Sequence, residues 1–383
     1  MVSRAEAVEL AKGNPLSFLH VGRSDIDLPP DTDPHDPRVY ERARSNLNQF
    51  LNDGSFLQEA EPSFYLYELT MDGRAQMGIV GCVHVDDYEK NVIRKHEKTR
   101  KDKEDDRTRH VLTLNAHAEP VFLTHPPTPF LTQLNTRITA EDPLYDFTGS
   151  DGVRQRVWRV KNTAPYVDAF RRIEVGYVAD GHHRSASAWR AAVERRSVNF
   201  KHTGNEEYNW FLAVFFPSNQ LRILPYFRVV KDLNGQTAEA FLAEVAKVGV
   251  LTPTSEPAPD RAGSFGILVG GSWYRLVIPA DTIDTDDPVG SLDVSLLHER
   301  ILAPLLGIGD IRTDPRIDFV GGIRGVPELE RRVASGEAAV AFATYPVSVQ
   351  QLMTIADAGQ VMPPKSTWFE PKLKSGLFVH MLD

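Results

Sequence analysis

The stretch Tyr177-Val178-Ala179-Asp180-Gly181-His182-His183-Arg184, running on into Ser185-Ala186-Ser187-Ala188-Trp189, decides how this chain is read. An apolar run ends at Asp180, a natural N-cap residue, and a helical pattern begins at once. Gly181 between them has no side chain to keep a ligand away from the backbone. The first N–H groups of a helix point outward, and the helix dipole favours an anion there. His182, His183 and Arg184 add side-chain donors suited to phosphate oxygens. The segment therefore predicts a phosphate-binding strand–turn–helix, without the spacing of a P-loop or a dinucleotide fingerprint. Two other readings stay open. One is a capped helix whose histidines are surface donors. The other is metal ligation by Asp180, His182 and His183, although adjacent residues rarely converge on one ion without further ligands.

Around this turn, strands and helices alternate. Residues 157–160 read as a strand, 166–172 as a short helix, 175–179 as a strand and 185–195 as a helix. Segments 210–216 and 221–230 look like paired strands joined by Pro217-Ser218-Asn219. Upstream, Ser3 and Glu6 form a capping-box signature. Asp36-Pro37 opens a helix with Val39, Ala43, Leu47, Phe50 and Leu51 on one face. Residues 64–71 and 75–84 flank Asp72-Gly73, a strong hairpin signal. Downstream come a helix over 237–248, the Pro-rich linker candidate 252–259, and strands near 265–269 and 273–278. A helix-rich end follows, then a polar loop over 362–374. No internal repeat is visible. The mixture predicts α/β (α+β) architecture built on a mixed sheet, with portions 1–232 and 233–383.

Composition narrows the function classes. The chain has 383 residues, 42% of them hydrophobic and 25% charged, as in an ordinary globular protein. Its 43 Lys and Arg against 52 Asp and Glu leave a net charge of −9, which argues against a broad nucleic-acid footprint. A single cysteine, Cys82, excludes an intramolecular disulfide and a cysteine-built metal site. The longest apolar run, 211–217, is too short to cross a bilayer, and no signal region is visible at the start. The expectation is a cytoplasmic protein acting on small molecules, with neither nucleic acid nor membrane as partner; a homodimer is left open.

Two further segments carry candidate chemistry. Residues 89–109 hold nine basic and six acidic side chains. Helical pairs such as Glu97–Lys101 and Lys101–Asp105 explain most of them as a solvated helix. The cluster Ile93-Arg94-Lys95-His96-Glu97-Lys98 is left over, and a Glu held beside His96 suits a general base for an alcohol. The segment Val361-Met362-Pro363-Pro364-Lys365-Ser366-Thr367-Trp368-Phe369-Glu370-Pro371-Lys372 is stiffened by three prolines and presents Lys365, Ser366, Thr367, Glu370 and Lys372. Its aromatic pair is expected to anchor it to the core, and a packing-only loop is the alternative.

These stretches resemble a bacterial and archaeal family known as domain of unknown function 1015 (DUF1015). The likeness runs through Asn14-Pro15-Leu16-Ser17-Phe18-Leu19-His20, His96-Glu97-Lys98-Thr99, Asp105-Asp106-Arg107, Ala179 to Arg184, Asp318-Phe319-Val320-Gly321-Gly322 and, above all, Met362 to Lys372. Members of that family carry a further segment ahead of Val2, so this chain is expected to start short of the usual N-terminus. The Asp-Gly-His-His-Arg turn is also similar to that of the ParB/sulfiredoxin superfamily, in particular its free-serine kinases. This likeness implies that Asp180, Gly181, His182, His183 and Arg184, with Arg107, hold the phosphates of ATP or ADP. It implies that Glu97, beside His96, activates a hydroxyl, that Lys365 neutralises charge, and that Mg2+ rides on the nucleotide with Asp180 as its candidate protein contact. The implied activity is phosphoryl transfer to a small metabolite, free L-serine first. A metal-dependent phosphohydrolase using Asp180, His182, His183 and His96, and a non-enzymatic nucleotide-binding switch, are the alternatives. The leading assignment needs Glu97, His182 and Lys365 to face one cleft, with the 362–374 loop returning to the turn.

Overall fold

The computed structural model describes residues 3–383 and divides into two compact units. The first comprises the chain up to Gln220 together with Pro371–Asp383, and the second is Leu221–Glu370. The Pro-rich stretch 252–259 is therefore no boundary; it lies inside the second unit, and its first residues belong to a sheet strand.

The first unit is built on eight strands: β1 (Phe64–Met71), β2 (Arg74–His84), β3 (Ile93–Arg94), β4 (Val121–His125), β5 (Tyr145–Thr148), β6 (Arg154–Val160), β7 (Gly176–Asp180) and β8 (Trp210–Pro217). Their order is β3-β7-β4-β8-β2-β1-β6-β5. The β3–β7 and β4–β8 pairs are parallel and the others antiparallel, so the sheet is mixed. The Asp72-Gly73 turn joins β1 to β2 as its sequence predicts, with both turn residues at positive φ. Five helices matter here: α1 (Pro37–Asn52), α2 (Lys101–Leu114), α3 (Pro129–Ile138), α4 (Ala164–Phe170) and α5 (His182–Val198). α1 starts as read, with the Asp36 carboxylate accepting the Arg38 N–H at 2.9 Å and Pro37 in the first turn.

One face of the sheet packs Val121, Leu123, Val178, Phe211 and Ala213 against Ala186, Ala188 and Ala192 of α5. Further along the same face, Leu66, Ile79, Trp158 and Val160 meet α3 and α4 through Leu131, Leu134, Tyr166 and Ala169. The opposite face holds Phe122 against Phe216, with ring centroids 4.6 Å apart. There, too, Phe378 of the returning segment lies on Tyr65 and Tyr67. That segment ends in a short strand, His380–Met381, paired antiparallel with Ala116–His117.

The second unit is a six-stranded, wholly antiparallel sheet of β9 (Tyr226–Val230), β10 (Val250–Pro253), β11 (Ser264–Val269), β12 (Ser272–Val277), β13 (Ile317–Gly321) and β14 (Val340–Thr344), in the order β10-β12-β11-β14-β9-β13. Strict alternation sends Phe265, Ile267, Val340 and Phe342 to one core and Leu268, Ala341 and Ala343 to another. Helices α6 (Ala238–Val245) and α7 (Gly325–Ala334) supply Phe241 to the first core and Leu329 to the second. The expected pairing of 210–216 with 221–230 does not occur. β8 belongs to the mixed sheet and β9 to the antiparallel one, and the chain passes from one unit to the other between them. None of the described helices is long and apolar enough to cross a membrane.

Candidate functional site

The predicted turn forms at the end of β7, near the sheet edge. Asp180 is the last residue of the strand and Gly181 is the N-cap of α5, so Asp180 does not cap the helix as the sequence suggested. A register shift in the β4–β7 ladder pairs Phe122 with Asp180 but Leu123 with Val178. This irregularity re-aims the last residue of the strand. Gly181 sits at φ 108°, where L side chains are strained, and a Cβ there would lie 3.1 Å from Arg184 Nε. The glycine thus lets the guanidinium fold back over the turn.

Asp180 is held by two cations. Lys372 Nζ donates to Asp180 Oδ2 at 2.8 Å, and Arg184 Nη2 stands 3.8 Å from Oδ1. Burial would raise the Asp180 carboxyl, but Lys372 and Arg184 outweigh it and hold the group far below the usual carboxylate range. Arg184 also donates to the Pro120 carbonyl. Next to Pro120 stands Glu119, absent from the sequence reading. Burial opposes its ionisation, yet Arg184, Arg107 and His110 hold its carboxyl low, helped by the Ser375 hydroxyl, which donates to Oε1 at 3.4 Å. Arg107 therefore joins Arg184 in one positive field around Glu119.

The histidines divide into different roles. His182 is 4% exposed and His96 1% exposed, and their rings meet edge to face with centroids 4.4 Å apart. Burial pushes His96 down to about 4 and His182 well below its ordinary value, so both are neutral at pH 7. His182 Nε2 lacks a hydrogen-bond partner among the described residues, and the His96 ring lies against the Val178 backbone. His182 Nδ1 stands 3.8 Å from Glu97 Oε2, on a side chain that is 45% accessible. Glu97 and His96 lie between β3 and α2 rather than on a helix, because α2 begins only at Lys101. The expected Glu97–Lys101 helical pair is consequently lost, whereas Lys101 Nζ does reach Asp105 at 2.6 Å. His183 has one ring nitrogen engaged within the protein. Its Nε2 accepts the backbone N–H of Arg100 at 3.1 Å, which places the ring proton on Nδ1 and fixes the start of α2.

Lys365 belongs to the second unit. Its backbone is left-handed at φ 60°, its ammonium stands 5.4 Å from the Tyr226 ring centroid, and its carbonyl accepts from Arg228 Nη2 at 3.0 Å. The aromatic anchor expected in this loop is present. Trp368 lies edge-on to Tyr226 at 5.0 Å and covers Gly321, where an added Cβ would come within 2.5 Å of its ring. The polar loop is split, because its last residues, from Pro371, belong to the first unit and carry Lys372 to Asp180. The structure thus gathers Glu97, His96, Asp180, His182 and Arg184, with Arg107 set around Glu119. It adds Lys372 and Glu119. Lys372 was visible in the quoted loop, but nothing in sequence ranked it above Lys365. Glu119 had no motif at all. Among the described residues no group of three or more His, Cys, Asp or Glu side chains is placed to hold a metal ion. The lone Cys82 is raised to about 12 by burial and is no nucleophile.

Fold and turn together define a mixed α/β protein whose strand–glycine–helix junction gathers cations and neutral imidazoles. The family model described as protein of unknown function (DUF1015) matches residues 1–295, and the chain belongs to that family. No curated protein matches the sequence. Among solved structures, SbnI from Staphylococcus aureus with a C-terminal truncation is 12% identical, with 79% of this chain and 87% of that one covered and a TM-score of 0.42. A variant free serine kinase in complex with AMP is 11% identical, covering 76% and 86%, with a TM-score of 0.39. A conserved hypothetical protein from Pyrococcus furiosus is 12% identical, covering 77% and 93%, with a TM-score of 0.37.

Proposed function

We propose that this protein is a small-molecule kinase that transfers a phosphoryl group from ATP or ADP to a metabolite hydroxyl, free L-serine being the first candidate acceptor. The observation that carries the reading is the junction at Gly181. A left-handed glycine opens the backbone, Arg184 folds over it, and the buried Nε2 of His182 is left without a partner. A phosphate oxygen would accept from His182 Nε2–H and from the backbone at the turn, with Arg184 beside it as a cation. Phosphoryl transfer is dominated by positioning and charge stabilisation, so a cradle, cations and a hydroxyl-orienting carboxylate suffice.

In this reading Glu97 accepts the proton of the acceptor hydroxyl as its oxygen bonds to the terminal phosphorus. The bond from that phosphorus to the bridging oxygen breaks, leaving ADP or AMP. Neutral His182 keeps its place against His96 and stands beside Glu97 without drawing its proton affinity down as an imidazolium would. Charge neutralisation falls to Arg184 and Lys372, in the same unit as the turn, with Lys365 as a further cation whose removal the same assay reads. Mg2+ carried by the nucleotide phosphates would screen their charge. Asp180 does not fit as its ligand while salt-bridged to Lys372.

The test is direct. Full-length protein, L-serine and ATP or ADP should yield phosphoserine, and Glu97→Gln should slow the reaction at least about 100-fold while nucleotide affinity stays within about twofold. Nucleotide binding without phosphoserine from the unaltered protein would instead leave the switch reading.

A further inference from the structure

A second site lies away from the turn, on the same face of the mixed sheet but under α3. A cavity of about 300 Å3 opens there between α3 and strands β1, β2, β4 and β8. His125 lines it from the end of β4 beyond Thr124, whereas Asp180 pairs with Phe122 towards the strand's beginning. The kinase reading uses none of its residues.

The hydrogen-bond inventory of this cavity is one-sided. Glu68 is 7% exposed, and both bonds from Arg156, from Nε at 2.8 Å and Nη2 at 2.5 Å, go to Oε1. Oε2 is left with its lone pairs. His125 is 1% exposed, and its Nδ1–H donates to the Pro126 carbonyl at 2.7 Å, so Nε2 is an acceptor. Burial lowers the proton affinity of that ring and keeps it neutral. Thr132 and Thr136, one helical turn apart, donate their hydroxyl protons to the carbonyls of Thr128 and Thr132, so both present oxygen lone pairs. On the donor side stand two amides. Asn135 Oδ1 is taken by the Tyr166 hydroxyl and Gln220 Oε1 by the Met77 N–H, which leaves their NH2 groups. Thr128 and Thr139 also line it, and the apolar part of the lining includes Met77, Ile79, Leu131 and Phe215.

We propose that this cavity is a binding site for a small molecule carrying a primary ammonium group on a short apolar stem. An ammonium has three donors and no acceptor, which complements a buried carboxylate oxygen, an imidazole acceptor and threonine oxygens. The apolar lining receives the stem. A carboxylate ligand would face Glu68 Oε2 with two neutral amides as donors, the Arg156 guanidinium being already engaged on Oε1. A site of this volume suits a ligand of metabolite size.

The experiment uses the full-length protein and four probes, n-butylammonium, 1-butanol, butyrate and erythritol, followed by saturation-transfer NMR and calorimetry. n-Butylammonium should bind with a roughly millimolar dissociation constant. Glu68→Gln should weaken it at least about tenfold, because one acceptor becomes an amide donor. Ala75→Phe, at an exposed position on the cavity rim, should abolish binding by filling the opening, with the fold checked by circular dichroism. Phosphoserine formation should be unchanged in both variants. Equal binding of 1-butanol would reduce the site to an apolar hole and overturn the proposal. So would preference for erythritol or butyrate, ammonium binding that survives both variants, or no binding of any probe.

Discussion

The two sheets of this protein face the same physical requirement, a dry interior, and meet it in opposite ways. The antiparallel sheet of the second unit is packed with alternating apolar side chains on both faces, and the few buried polar exceptions in that unit include Arg228 on the sheet and Asp293 on a helix. The first unit buries Glu68, Gln76, His125 and Gln155 on its mixed sheet and His96, His117 and His182 around it. Of the chain's 12 histidines, only His298 lies in the second unit. Burying a polar group costs free energy unless it is hydrogen-bonded, so a unit that keeps several imidazole nitrogens unpartnered is under-satisfied for its own stability. The difference marks the first unit as the one shaped for ligands and the second as the one shaped for packing.

The sharpest way to break this comparison is Gly181→Val. A branched side chain at φ 108°, beside Arg184, should remove measurable nucleotide binding, a loss of at least about 100-fold by calorimetry, while hydrogen exchange in the second unit stays unchanged. A loss of protection in both units would sink the division. Acid comes next. His96 falls to about 4 and His117 to about 3, both through burial, against an ordinary value near 6.5. The unfolded chain binds more protons at these sites, so their contribution is complete above about pH 6.5 and is lost as the pH falls towards the folded values. At the limit this is about 3 kcal/mol for His96 and about 5 kcal/mol for His117. Protection factors in the first unit should drop accordingly between pH 7 and 4.5, and His96→Gln should flatten the slope.

The second unit should move the other way. Burial raises Asp293 to about 6, and its Oδ2 has no hydrogen-bond partner among the described residues. A raised carboxyl binds its proton more tightly when folded, so this unit gains stability as the pH falls from about 6 towards 4. The change is at most about 3 kcal/mol, and Asp293→Asn should erase it. The smallest effect belongs to Lys372→Met. The Asp180 pair is part-exposed, so stability should change by less than about 1 kcal/mol, whereas nucleotide affinity should fall several-fold. An unchanged affinity would remove Lys372 from the site.

Much of the local structure was legible because it rests on short-range physics. Asp72-Gly73 sets the hairpin, Asp36-Pro37 starts α1, and the run into Gly181 sets the strand–turn–helix. What stayed hidden depended on partners far away in the chain. β8 was paired in sequence with its chain neighbour, but it lies inside the mixed sheet between β4 and β2, both distant in sequence. The charged run 89–109 showed its composition but not where α2 begins, since the capping acceptor for Arg100 is His183, far along the chain. Lys372 over Lys365, and Glu119 at all, are choices made by tertiary approach.

One consequence follows from how the chain is threaded. Because Pro371–Asp383 completes the first unit after the whole of Leu221–Glu370 has intervened, the two-stranded ladder with Ala116–His117 and the contacts on the mixed sheet's face wait for the last residues made. On the ribosome, residues up to 220 are made well before Lys372, which Asp180 can meet only once the last part of the chain has followed. Until then Asp180 has Arg184 but not Lys372, and Tyr67 lacks its cover of Phe378. A chain stalled before residue 371 would lack both contacts, so the first unit, although begun first, is the last to be completed.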